Sequence, residues 1–364
     1  MKIAIDGYEL NKKFTGVGRY LYNLIKCLSE IDKENEYTLF LKESSEKSDN
    51  LNNVNKKILP SDKGYTYWQN FLLKKEFEKN NYDLLFATNY FLPFFFKGKS
   101  VLTVHDISWK TIPEDYSLRD RFIKEVKSRY SFKKTDLIFT VSGFSRDELI
   151  KYYKINQDKI IPIHSGVEDK FTRSGKTRIL KFREKYGLGD SKIIGFIGSM
   201  FPRRSIKELI KGFIIAKQKT DNPKLFIVGK NYYREDINQL LRADGVIWKE
   251  RLDESEINDF YSSLELFAYI SKYEGFGFPP LESLKCGTTP LLLKSSSLKE
   301  IFEDTALFID NPDHRVIGEK IMDYFENKQQ YDKRIFGKFK EKEKYFSWKR
   351  VAIDYLNIIN SVKK

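Results

Sequence analysis

Two glutamates, Glu274 and Glu282, stand on either side of seven residues in the segment EGFGFPPLESLKCG, 274–287. Glycine accepts backbone angles closed to other residues, so a tight turn is expected at Gly275 and Gly277. Proline is tolerated in a first helical turn, where its missing N–H costs nothing, and a helix should therefore start near Pro279 or Pro280. Glu282 would then lie in that first turn and Glu274 just before the loop. Backbone N–H groups at a helix N-terminus suit a phosphate, and two carboxylates suit hydroxyls. Phosphate with hydroxyls describes a nucleotide-sugar. A capped helix whose early Glu complements the dipole is the plainer reading, and this segment alone leaves the two open.

Three further segments carry candidate chemistry. In DGYELNKKFTGVGRYLYNL, Gly16 and Gly18 would permit close backbone approach to a ligand. Arg19 opens an amphipathic helix there, either as a phosphate or acceptor ligand or as a surface residue. In VHDIS, 104–108, His105 could hydrogen-bond a sugar hydroxyl, stabilise charge developing on a sugar ring, or serve as a satisfied structural histidine. In GSMFPRRSIKELI, Gly198 and Ser199 offer backbone and hydroxyl donors, and Arg203 and Arg204 offer forked, permanently charged partners for phosphate oxygens. A departing nucleoside diphosphate needs such charge when no metal supplies it; an exposed basic turn is the alternative. No nucleophile elbow, G-x-S-x-G, is present.

The elements that must position these residues are legible as short apolar runs alternating with helical patterns. A first series comprises residues 2–6, 37–41, 83–88, 100–106, 136–142 and 159–166. A second comprises 192–199, 224–230, 245–249, 264–271, 288–294 and 306–310. Continuous apolar runs suit parallel strands buried on both faces, with helices as crossovers. The expected fold class is α/β, with two Rossmann-like doubly wound domains at 1–170 and 175–345 and a polar, aperiodic boundary at 168–178. Ligands of such sheets bind beyond the C-terminal strand ends, so the site is expected in a cleft between the domains.

Composition agrees. The 364 residues suffice for two domains, and 41% hydrophobic with 15% aromatic residues excludes disorder as the main state. Cys27 and Cys286 lie far apart, and His105, His164 and His314 do not cluster, so neither a disulfide framework nor a zinc site is expected. The chain begins directly with the strand-like KIAIDG, and its longest apolar run, 90–96, is too short to span a bilayer. A soluble cytoplasmic protein is therefore expected. The 65 basic against 51 acidic residues give a net charge of +14, which favours an anionic partner: a membrane surface, nucleic acid or phosphorylated ligands. No nucleic-acid module is recognisable, so no nucleic-acid partner is expected.

Taken together, TGVGRY, NYFLP with TVHDIS, TVSGFSRDELI, GVEDKF, GSMFPRRSIKELI, YEGFGFPPLESLKCGTTPLL and SLKEIFEDTALFIDNPD resemble the retaining family-4 glycosyltransferases with the GT-B fold. The resemblance covers nearly the whole chain and is strongest to bacterial mannosyl- and rhamnosyltransferase-like members that build surface polysaccharides. FSWKRVAIDYLNII looks like the family's last helix, 346–364, which packs back on the first domain. By this resemblance Glu282 would hold the ribose hydroxyls. Glu274 and the backbone of Gly275, Phe276, Gly277 and Phe278 would contact the donor sugar and its phosphates. Gly198, Ser199, Arg203 and Arg204 would bind the diphosphate, Gly16 would approach it from the first domain, and His105 would face the donor sugar, with Glu274 and His105 as the catalytic pair. No cofactor and no metal are implied; the GDP-, UDP- or dTDP-linked sugar is a substrate. The family usually shows Arg-Lys-Asn where this chain has Arg203-Arg204-Ser205, and Ser199 stands where some relatives carry Arg.

The resemblance implies transfer of a hexose or deoxyhexose, mannose-like in the first instance, to a lipid-linked oligosaccharide or growing glycan acceptor. Alternatives are a soluble enzyme of the same fold acting on a small sugar or sugar phosphate, and a catalytically silent nucleotide-sugar-binding subunit. One segment bears on location. RDRFIKEVKSRYSFKK, 119–134, interleaves cations with Phe122, Ile123, Val126 and Tyr130. Apolar residues at that spacing more often face a core; the competing reading rests them on an anionic membrane surface, at the inner face of the cell membrane. YTYWQNFLLKKEFEK, 65–79, is a second candidate of the same kind.

Overall fold

A computed structural model describes residues 1–11 and 15–361. Within the loop that carries Gly16, residues 12–14 lie outside the described residues, as do residues 362–364 of the expected last helix. By internal packing the chain divides into two units, Met1–Glu168 with Lys344–Lys364, and Asp169–Glu343.

The first unit is built on β1 (Lys2–Asp6), β2 (Glu36–Leu41), β3 (Asn55–Ile58), β4 (Leu84–Ala87), β5 (Lys99–Val104), β6 (Leu137–Thr140) and β7 (Ile160–Pro162). They form one parallel sheet in the order β3-β2-β1-β4-β5-β6-β7. The second unit is built on β8 (Lys192–Ile197), β9 (Pro223–Val228), β10 (Val246–Lys249), β11 (Leu266–Tyr269), β12 (Thr289–Leu293) and β13 (Leu307–Ile309). These too are parallel, in the order β10-β9-β8-β11-β12-β13. Of the central strands, LLFA of β4 and LFAY of β11 are buried at every position, because crossovers cover both faces. In each unit the strand order reverses once, between β1 and β4 and between β8 and β11. Crossovers diverge to opposite faces at such a point and leave a crevice beyond the C-terminal strand ends.

Helix Gly16–Ile31 begins at Thr15, whose hydroxyl accepts from Gly18 N at 3.2 Å. Its buried face includes Tyr20, Leu21, Leu24 and Leu28, and the helix packs against helix Trp348–Ser361. The Tyr20 and Tyr355 hydroxyls are hydrogen-bonded, and the Tyr355 ring lies 4.1 Å from Phe139 and 5.7 Å from Phe86 between centroids. The last helix thus completes the core of the first unit.

Helix Leu118–Lys134 corrects an expectation. Its buried residues are Lys127, Ser128, Ser131 and Phe132, whereas Leu118, Phe122, Ile123 and Val126 are exposed. Beside the core residue Phe132, the inner side holds polar groups that find partners there: Ser131 Oγ accepts from Leu92 N at 2.9 Å, and Lys127 Nζ donates to Thr66 Oγ1 at 3.2 Å. Lys127 also lies 4.5 Å over the Phe91 ring. Burial, and next the Lys124 charge, bring the Lys127 ammonium down to about 8.

Candidate active site

Beyond β8 the chain turns through Gly198 at φ +146°, a backbone angle that favours glycine. Gly229 at the end of β9 has φ +156°, and a Cβ there would sit 1.9 Å from the Gly198 carbonyl oxygen. The two strand ends therefore meet only because both positions are glycine. A 3-10 turn, Pro202–Arg204, follows, and Ser205 at φ +48° opens helix Ile206–Lys217. Arg203 stacks 4.7 Å over the Phe201 ring, which stacks in turn on Tyr232 at 4.6 Å. Tyr233 Oη accepts from Ile206 N at 3.0 Å and so caps the helix; burial pushes this hydroxyl up to about 12.

On the other side of the strand-order reversal, β11 delivers Tyr269, Ser271 and Glu274. Glu274 Oε1 accepts from Tyr269 Oη, Ser271 Oγ and Arg204 Nε, each at 2.9 Å. Arg204 Nη1 donates to the Ser199 carbonyl at 2.9 Å, and Lys272 N donates to the Arg203 carbonyl at 2.8 Å. The loops after β8 and β11 are thereby one structure. Burial raises the Glu274 carboxyl, but the charges of Arg204 and Arg203 with the hydrogen bonds more than offset it and hold it below the ordinary carboxylate range. Glu274 is thus an anion, and Arg204 is fixed by its Nε and Nη1 at once. A lysine could make only a single-point contact here, so the Arg-for-Lys difference is built into the site.

The loop 275–277 is pinned from the far side. Ser297 Oγ donates to the Glu274 and Phe276 carbonyls at 2.8 and 3.1 Å, and Ser296 Oγ accepts from Glu274 N at 3.0 Å. Gly277 has φ +117°, and a Cβ there would meet Leu298 Cδ2 at 2.8 Å. The following helix is Phe278–Lys285. It starts before the position expected from Pro279 and Pro280, so Glu282 falls in its second turn instead of its first. Two of the first three helical residues are prolines without N–H groups, and the donors available to an anion narrow to the backbone of Gly275 to Phe278. Glu282 is buried, and its Oε2 accepts from Tyr261 Oη at 2.8 Å.

In the first unit, His105 follows β5 and is buried. Its Nε2 lies 3.3 Å from the Thr88 carbonyl, and Tyr20 and Tyr90 approach edge-on, with centroids at 4.8 and 5.5 Å. Burial pushes the imidazole down to about 4. It is therefore neutral near pH 7, with Nε2 the donor and Nδ1 the acceptor. A neutral ring serves a hydroxyl; it brings no net charge to a sugar cation. Gly16 heads helix Gly16–Ile31, and a Cβ there would meet nothing within 4 Å, so internal packing does not demand glycine. Arg19 is engaged by Glu168 at 2.6 Å, which makes it a partner of the chain's own carboxylate.

The structure brings Ser199, Arg204 and Glu274 into one hydrogen-bonded group, to which Gly198, Arg203 and the backbone from Gly275 to Phe278 are joined covalently as chain neighbours. Sequence reasoning missed the residues that hold this group: Tyr269, Ser271, Ser296 and Ser297. Only the run Ser295-Ser296-Ser297 directly after β12 could have signalled them. It also missed a buried cluster at the end of β1, where Asp6 Oδ2 accepts from Tyr65 Oη at 2.7 Å and Gln69 Nε2 at 3.2 Å. Burial raises the Asp6 carboxyl to about 6. Among the described residues no group of three or more His, Cys, Asp or Glu could hold a metal ion.

A family model described as Glycosyltransferase Family 4 matches residues 14–171, and one described as Glycosyl transferases group 1 matches residues 179–341. The O-antigen chain mannosyltransferase B of Escherichia coli is 26% identical over 381 residues, covering 98% of this chain and 99% of that protein. The O-antigen chain mannosyltransferase RfbU of Salmonella typhimurium is 27% identical over 68% of this chain and 66% of its own length. Among solved structures, Anabaena Alr3699/HepE in complex with UDP and glucose matches with a TM-score of 0.78 at 16% identity, covering 99% of this chain and 100% of that one. That last likeness is one of fold.

Proposed function

The chain belongs to glycosyltransferase family 4, a retaining family with the GT-B fold, and from that premise we propose that it moves a mannose-like hexose or deoxyhexose from a nucleotide-sugar to a lipid-linked or growing surface-polysaccharide acceptor. The observation that carries this reading is the Arg204–Glu274 pair at the strand-order reversal of the second unit. It sets a fixed cation beside a fixed carboxylate, where α/β sheets take their ligands. The mannose preference rests on the two O-antigen mannosyltransferases. The nucleotide reading rests on the family and on the UDP and glucose bound by the Anabaena protein.

In this reading the second unit, 175–345, takes the donor. Gly198, Ser199, Arg203, Arg204 and the backbone from Gly275 to Phe278 take the diphosphate. Glu282 takes the ribose, and Glu274, with Oε1 already committed, turns Oε2 to a hydroxyl of the sugar. His105 offers a neutral hydrogen bond to the donor sugar, and the first unit, 1–170 with the last helix, receives the acceptor. The bond from the anomeric carbon to the diphosphate breaks while the acceptor oxygen bonds to the same face, and the acceptor's proton passes to the departing phosphate oxygen. Placing the arginines where this negative charge grows is worth a few kcal/mol per donor, on the order of 10²-fold or more in rate. No helix of the described residues is long and apolar enough to cross a membrane; a lipid-linked acceptor would bring the protein to the inner membrane face as a peripheral partner.

A thermal-shift and turnover screen across nucleoside diphosphates and their sugars, with and without EDTA, tests the reading. Stabilisation by one nucleotide class and turnover of its sugar in EDTA are expected. Stabilisation by none would count against it.

A further inference from the structure

We infer that the first unit docks on an anionic lipid bilayer through one face assembled from helix Leu118–Lys134, the loop at Phe95 and the helical segment at Phe71. The inference takes the lipid-linked acceptor above as its purpose, but the face stands on its own observations. Large apolar side chains are exposed at twelve described positions, and six of them lie on these three segments, two sequence-distant and one contiguous. Scattered exposure needs no explanation, whereas concentration of this kind marks an interaction site.

Leu118, Phe122 and Val126 recur every four residues along one stripe of the helix, with Ile123 beside them, and are 80, 71, 44 and 42% exposed. The helix has turned its lysine and serines inward to leave them outside. Continuing the same stripe are Arg129 and Lys133, and Arg119 borders it, all exposed. Residues 118–134 hold seven basic side chains against two acidic. An apolar strip rimmed by cations matches a bilayer, whose acyl region lies under anionic headgroups. A recess of about 270 Å³ lined by Leu118, Phe122, Trp109 and Arg121 opens at the N-terminal end of the strip.

Phe95 is the second, independent observation. It is 78% exposed and sits at φ +56°, a backbone conformation disfavoured for a bulky residue and retained only where the surroundings enforce it. They do so on both flanks. Phe94 N donates to Asn70 Oδ1 at 2.6 Å, and Phe96 N donates to Tyr130 Oη at 3.0 Å. Asn70 belongs to the π-helical stretch Trp68–Leu73 that exposes Phe71 (61%), and Tyr130 to the docking helix. The same two bonds therefore hold an exposed aromatic tip in place and tie the three segments into one surface.

The test is sedimentation of the full chain with vesicles of phosphatidylcholine alone or with about 30% phosphatidylglycerol, at about 0.15 M salt. Binding to the anionic vesicles at least about tenfold tighter than to neutral ones is expected. Phe95→Ser with Phe122→Ser, and separately Arg119→Glu with Lys133→Glu, should each lower it by about tenfold or more. Every variant should keep the parent's melting temperature and its shift with nucleoside diphosphate, because no donor-site residue is touched. Loss of that shift in the parent would indict the donor reading and leave the docking result standing. The docking inference is overturned by failure to sediment, by variants that bind as the parent does, or by a parent dimer that the phenylalanine variants dissociate.

Discussion

Glu274 and Arg204 are each only 13% exposed at the side chain, and that burial decides what their pairing is worth. Removing one member of such a pair strands the other in low dielectric and typically costs about 3–5 kcal/mol. Arg204→Leu should therefore lower unfolding stability by an amount of that order, whereas Arg204→Leu with Glu274→Gln should recover a good part of it; denaturant titration of the single and double variants checks this. On the role proposed for Arg204 at the diphosphate, both forms should be inactive, because pairing with Glu274 and charge at the phosphate are separate services of one side chain. Acid tests the pair independently. The Glu274 carboxyl is held below the ordinary range in the folded state, so its stabilising contribution is complete above its usual value of 4.5 and is lost as pH falls through the depressed one. His105 titrates in the same direction. Its folded value of about 4 lies below the ordinary 6.5, so the ring favours the fold above 6.5 and opposes it progressively as pH falls toward 4. The turnover profile should accordingly show no histidine inflection between about pH 5.5 and 8. An inflection there that vanishes in His105→Gln would show that the ring is protonated in the working enzyme.

At the scale of elements, the order of burial explains what was legible in the sequence. Strands such as β4 and β11 announce themselves because a parallel strand covered on both faces must be apolar throughout. β3, with the sequence NKKI, was not readable: it is an edge strand with every residue exposed or half-exposed, so no apolar run marks it. The helix Leu118–Lys134 misleads for a different reason. Periodicity reports that two faces differ, but it does not say which is inside when lysine and serine find hydrogen bonds there. The glutamate segment itself was readable to within a turn, since Gly277 and the prolines dictate a loop followed by a helix; Ser296 and Ser297, which brace it from the helix after β12, lie too far along the chain for spacing to reveal. Ser205 offers a direct test of local strain. It stands at φ +48° and 1% exposed, makes no cap hydrogen bond to the helix it precedes, and buries a hydroxyl that finds no partner among the described residues. The left-handed conformation costs an L-residue about 1–2 kcal/mol that glycine escapes. Ser205→Gly should thus stabilise the protein by about 1 kcal/mol, contrary to the usual effect at a helix start, where a serine caps. A fall in melting temperature would show that the hydroxyl has work the geometry does not display.

For the molecule as a whole, the chain order has a mechanical consequence. The last helix, Trp348–Ser361, is made after the entire second unit, yet Val351, Ala352, Tyr355 and Ile359 are all fully buried in the first. The first unit therefore cannot close its core until helix Trp348–Ser361 has been made, while Asp169–Glu343 contains every strand of its own sheet. Tyr355 is the critical contact, because its ring fills the space beside Phe86 and Phe139 of β4 and β6 and its hydroxyl meets Tyr20. Truncating a buried aromatic to alanine costs about 3–5 kcal/mol in the unit that holds it. Tyr355→Ala in the full chain should therefore speed amide hydrogen exchange across β1, β4, β5 and β6 and leave β8 to β13 as protected as before. Because stability in such a chain is apportioned between cooperative units, the proposed donor role of the second unit predicts that any nucleoside diphosphate that stabilises the parent still stabilises that unit in the variant, even where turnover is lost. Equal loss of protection in both sheets would mean that the two units unfold as one, and would remove the last helix as an independent control on the first.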